Sequence, residues 1–98
     1  MYGDKGYQEV KETVSTTLNQ ARRMNAPRAI ALSQSFNGAL EFQAGNWSEA
    51  EKALRESIRL YREIGAASGE AISCQRLGML LTARGQLDEG VVILEEGV

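Results

Sequence analysis

The chain has 98 residues, 43% hydrophobic and 24% charged, with 11 Lys+Arg against 13 Asp+Glu and a net charge of −2. These values describe one small globular domain and argue against disorder. They also argue against direct binding of nucleic acid, because Arg22, Arg23 and Arg28 form the only dense basic stretch. Histidine is absent and Cys74 is the single cysteine, which removes the commonest general base, an intrachain disulfide and a Cys-rich metal site together.

The first apolar stripe runs Tyr7, Val10, Val14, Leu18, Ala21 and Met24, at helical spacing. Asn25-Ala26-Pro27 interrupts it, since the residue before proline avoids the helical region while proline suits a first helical turn. A second helix is expected from about Arg28 to Ala44, ended by Gly45-Asn46. The third carries Ser48 and Glu51 at capping-box spacing, then a stripe of Trp47, Ala50, Ala53, Leu54, Ile58, Tyr61 and Ile64. Its other face holds Glu51 with Arg55, Lys52 with Glu56 and Arg59 with Glu63, four apart, and reads as a solvated face. Gly65–Gly69 is read as a connector, followed by a fourth helix from Gly69 or Glu70 to Arg84. Gly85-Gln86 repeats the turn and a fifth helix begins.

The chain repeats with an offset of 40: Gly38 and Gly78, Gly45 and Gly85, Glu49 and Glu89, Leu54 and Leu94, Glu56 and Glu96. A period of that length marks a solenoid, in which each unit buries its apolar face only against a neighbour. Met1-Tyr2 align with Glu41-Phe42 inside a helix, and Val98 falls within another. The expected organisation is therefore a partial repeat over 1–27, a repeat over 28–67 and an incomplete one over 68–98, cut from a longer array.

Gly38, Gly45-Asn46-Trp47-Ser48-Glu49-Ala50, Leu54 and Ile58, repeated as Leu77-Gly78, Gly85-Gln86-Leu87-Asp88-Glu89-Gly90, Leu94 and Val98, resemble the tetratricopeptide repeat. HEAT and armadillo repeats rival it on length alone; the Gly-Asn-Trp turn and the paired small residues favour the tetratricopeptide form. The 40-residue version is similar to repeats of LuxR-type and MalT-like bacterial regulators, signalling ATPases and kinesin light chains. Gln34 and Cys74 depart from the large residue the family often has there, and Glu41 from its aromatic.

The resemblance implies an all-α, right-handed superhelix of antiparallel helix pairs, about five helices in all, acting as a non-catalytic scaffold for a protein or peptide partner. It implies a concave groove on Leu32, Ser35, Ala39, Phe42, Gln43, Ile72, Gln75, Met79, Thr82 and Ala83. The Lys, Arg and Asn that clamp a peptide's terminal carboxylate are missing from those positions. Alternatives are a small-inducer sensor segment or a self-association module, whose edge would be Val91, Val92, Leu94 and Val98 as a homodimer contact. Trp47 and Cys74 read as packing residues, and the serines lack a base for nucleophilic work. No catalytic, cofactor or metal site is expected. No apolar run is long enough for a membrane span and no signal peptide is evident, so the cytoplasm is the expected location.

Overall fold

The computed structural model describes residues 4–96, without the side chains of residues 4, 5, 87, 88 and 91. Five helices follow one another: α1 (Asp4–Arg23), α2 (Pro27–Gln43), α3 (Trp47–Glu63), α4 (Ala67–Ala83) and α5 (Leu87–Glu96). Among the described residues there is no strand. Each helix packs against the next, and α2 also touches α4. Two layers result, α1, α3 and α5 in one and α2 and α4 in the other, in a slab 34 × 33 × 17 Å across its Cα atoms.

The turns explain this regularity. Positive φ angles occur at Asn25, Gly45, Gly65 and Gly85, one every 20 residues. Each of these residues ends a helix in the left-handed region, which glycine enters without strain and asparagine tolerates. The amide three residues past the last helical position then reaches five residues back, as in Ala26 to Ala21, Asn46 to Glu41, Ala66 to Tyr61 and Gln86 to Leu81. Those bonds close Schellman motifs. The same residue's carbonyl accepts the first hydrogen bond of the next helix, so one residue both finishes one helix and starts another.

This device corrects three expectations. Ser48 is the second residue of α3 and does not cap it; Asn46 holds the cap position and makes no side-chain cap bond. Glu51 instead pairs with Arg55 and Arg84. The connector is Ile64-Gly65-Ala66, because α3 ends at Glu63 and α4 starts at Ala67. Gly69 lies inside α4, where a Cβ would run into the Tyr61 ring. Finally, α1 is helical through residues 4–6, the positions that correspond to the 44–46 turn, so the 40-residue recurrence of the turn does not extend back into α1. The aligned residues Met1-Tyr2 fall outside the described region.

The main core joins α3, α4 and α5: Ala50, Leu54, Ile58, Cys74, Leu77, Leu80 and Leu81, with Phe42 and Ile93 packed on it. Close approach of the helices depends on glycine. A Cβ on Gly38 would lie 2.5 Å from Leu54 Cγ, and one on Gly78 would lie 2.5 Å from Leu94 Cγ. The two helix pairs are thus interlocked by the same small-against-leucine contact, 40 residues apart.

Candidate functional site

Between α2 and α4 the layer is tied by hydroxyls. Ser57 Oγ donates to the Ala31 carbonyl at 2.7 Å and lies 2.9 Å from Ser73 Oγ, which is 3.1 Å from Ser35 Oγ. All three serines are buried. Arg76 Nη1 donates to Ser35 Oγ at 2.6 Å, and its guanidinium lies 5.6 Å from the centre of the Phe36 ring. Polar atoms that would otherwise be orphaned inside a small core are satisfied by one another.

On the outer side of the same two helices Leu32, Phe36, Ile72 and Met79 are each about half exposed. The spacings 32, 36, 39, 43 and 72, 76, 79, 83 place each set along one helix face. The expected groove residues divide accordingly. Leu32, Gln43, Ile72, Gln75, Met79, Thr82 and Ala83 are exposed, and Ala39 is half-buried. Ser35 is buried against Ser73 and Arg76 and is not available to a ligand. Phe42 packs on the core, with its ring centre 6.2 Å from that of Trp47, which is itself 37% exposed. Phe36 and Arg76 were not expected here; their spacing to Leu32, Ile72 and Met79 was the available signal.

The opposite layer is charged. Eight of the 17 residues of α3 are ionic, and pairs bridge to neighbouring helices: Arg22–Glu56 at 2.9 Å, Arg55–Glu89 at 2.8 Å and Arg62–Glu96 at 2.6 Å. Glu56 was expected beside Lys52 on a solvated face; it instead binds Arg22 and also accepts from Gln34 Nε2 at 2.6 Å. The Arg22 hydrogen bond holds its carboxyl below the ordinary value, against an opposing effect of burial. A cavity of about 330 Å³ lies between α3 and α5, lined by Ile58, Leu77 and Ile93 under Arg55, Arg59 and Arg62. All three arginines are already committed to carboxylates.

Where α1 meets α2, Glu41 is 3% exposed. It accepts from Tyr7 Oη at 2.7 Å and Asn46 Nδ2 at 3.1 Å, and pairs with Lys11 Nζ at 2.9 Å. Burial pushes its carboxyl up, but those three donors and the Lys11 charge outweigh it and hold the group below its ordinary value. Donating its hydroxyl to that carboxylate makes Tyr7 harder to ionise. Lys11 also donates to Asn37, which donates to Gln34. A polar chain therefore runs from Tyr7 to Arg22 under α1.

At the expected edge, Val92 is 52% exposed, whereas Leu94 is half-buried against Gly78. Val98 and the Val91 side chain fall outside the described residues. Cys74 is fully buried, which raises its thiol pKa and makes it a packing group. Among the described residues no cluster could hold a metal ion, and no helix is long and apolar enough to cross a membrane.

Residues 38–64 match the family model for the tetratricopeptide repeat. The match begins at the close-approach Gly38, passes the Gly45 turn and takes in all of α3. It supports a tetratricopeptide-type repeat in this part of the chain. The chain has no significant match among curated proteins or solved structures.

Proposed function

We propose that this chain is a non-catalytic recognition scaffold that holds a peptide or domain of another protein on the outer face of α2 and α4. The observation that carries this reading is the side-by-side exposure of Leu32, Phe36, Ile72 and Met79. Apolar side chains lie all round these two helices, as in helices that are covered on every side, yet one side is open. Large apolar side chains grouped on a surface mark a contact site more often than scattered ones do.

The repeats are divided at 28–67 and 68–98, each supplying one groove helix. We further propose that the scaffold belongs to a bacterial signalling or transcriptional regulator; what supports this is the resemblance of the 40-residue form to repeats of LuxR-type, MalT-like proteins. The test uses a random peptide library displayed on phage and the purified chain. Peptides enriched on the native protein should lose binding to the double variant Phe36→Glu/Met79→Glu, while its melting curve stays unchanged because both side chains are exposed. Retention of binding by the double variant removes this face as the site. Self-association through Val92 is a second reading, favoured by its exposure on α5; light scattering across a concentration series decides it, with Val92→Glu as the control.

A further inference from the structure

The charge on this molecule is unevenly spread. Eight of the 17 residues of α3 are ionic, against two in α2, Arg28 and Glu41, and two in α4, Glu70 and Arg76. Glu41 is buried under α1 and Glu70 is taken by Arg62. The α2–α4 face of a chain with net charge −2 is therefore largely apolar, and among the described residues the charges of these two helices without a carboxylate partner are Arg28, in the first turn of α2, and Arg76. Arg22, Arg55, Arg59, Arg62 and Arg84 all pair with carboxylates. Arg76 pairs with none among the described residues, although it lies half-buried amid the exposed side chains of the face.

Arg76 is also held in place. Its contacts to Ser35 Oγ and the Phe36 ring fix the plane of the guanidinium, and Ser35 is anchored through Ser73 and Ser57 to the backbone of α2. One of five guanidinium donors is used by Ser35, leaving an open edge suited to bidentate binding of a carboxylate. Such a pair, sheltered by Phe36, Ile72 and Met79, is less screened than one in water. A fixed side chain also loses less freedom on binding.

We infer that the partner segment carries one aspartate or glutamate flanked by apolar side chains, and that Arg76 receives its carboxylate while Phe36, Ile72 and Met79 receive the neighbours. This rests on the reading of the α2–α4 face as the binding surface. It differs from capture of a chain terminus, because the acid is an internal side chain.

The probe is a 12-residue synthetic peptide taken from the library selection, with its amide-capped version and its Asp-to-Asn or Glu-to-Gln version. Enriched peptides should contain an internal acid between apolar residues. Arg76→Gln should weaken binding about 10- to 100-fold, the range for a charge-assisted contact. Removing the peptide's acid should cost a similar factor, and the two changes together should cost little more than either. Capping the terminus should change nothing, and Arg76→Lys should keep the preference for acid with part of the affinity. Enriched peptides without an acid, or equal binding by Arg76→Gln with an unaltered melt, overturn the inference while leaving the face as a binding site. Peptides that bind Phe36→Glu/Met79→Glu as well as the native chain, or a selection that enriches none, overturn both readings.

Discussion

Glu41 and Leu81 occupy the same place in successive helix pairs, and both are buried, at 3% and 0% exposure. Around Glu41 the neighbours are Tyr7, Lys11, Asn37 and Asn46, and the seam beneath α1 is held by hydrogen bonds and ion pairs. Around Leu81 they are Cys74, Leu77, Leu80 and Leu54, and the seam is apolar. Apolar contact is tolerant of small shifts, whereas a buried carboxylate needs each donor in place. One backbone plan is thus filled by two chemistries, the first setting register and the second supplying most of the burial. Among the described side chains of α1 Ala21 alone is buried, compared with seven residues of α3, so α1 is expected to be the first of these helices to open.

The harshest way to break the comparison is to exchange the residues. Leu81→Glu would place a carboxylate among leucines, with Trp47 and Glu51 where the first seam has Tyr7 and Lys11. It should cost at least about 4 kcal/mol, since an unpaired buried charge is among the most destabilising changes, and denaturant unfolding measures it. An unchanged midpoint would show that the second seam can admit water.

Leu54→Ala should cost about 2–5 kcal/mol, because Leu54 is 1% exposed and fills the space above Gly38. Gly38→Ala should cost about 1–3 kcal/mol by overpacking. In the Leu54→Ala background that added cost should shrink, since the methyl then enters the vacated space. A thermal melt of the four proteins checks the pair, and full additivity would place the clash elsewhere.

The reverse exchange, Glu41→Leu, should be milder, about 1–3 kcal/mol. It strands the Tyr7 hydroxyl, while Lys11, 31% exposed, returns to water. Adding Tyr7→Phe should recover part of the loss, because removing both partners costs less than removing one. If the second change worsens the melt, Tyr7 contributes mainly by packing.

Acid sharpens the same contrast. Glu41 and Glu56 titrate below their ordinary value of 4.5, so the native state binds fewer protons than the unfolded one. Their contribution is complete above that value and is lost as pH falls through the lowered native values. Amide protection relative to the intrinsic exchange rate should fall first in α1, ahead of α3 and α4, as pH drops below the ordinary carboxylate value. Uniform loss of protection would mean that the polar seam is no weaker than the apolar one.

The smallest effect is expected at the outer ion pairs. Arg62→Gln should cost about 0–1 kcal/mol and less in high salt, since Arg62 and Glu96 are 49% and 44% exposed. Melts at two salt concentrations test this, and a large salt-independent loss would assign Arg62 a packing role.

The order of helices, the turns at Gly45 and Gly85 and the small residues where helices cross follow from residue type and period. The small residues read as partners of one another, Gly38 with Ala50 and Gly78 with Gly90; the structure sets Gly38 against Leu54, and Gly78 against Leu94 as well as the Gly90 carbonyl. Helix starts were less legible, because Ser48 and Gly69 carry signals that local chemistry favours and the Schellman turns override. The candidate face was readable as a helical stripe, but its division into exposed Leu32 and Met79, buried Ser35 and core-packed Phe42 was not. A spacing gives the direction of a side chain only to within a sector of the helix, and the neighbouring helix decides what covers it. In the same way Glu41, Gln34 and Asn37 look misplaced along the chain and become one network only when α1 is laid across them. By itself the sequence determined the period, the helices and the positions that must stay small, because these are set by local backbone preference and size. Tertiary structure alone decided which polar groups find partners and which apolar ones stay open, because hydrogen bonds and burial between distant residues exist only once the helices have stacked.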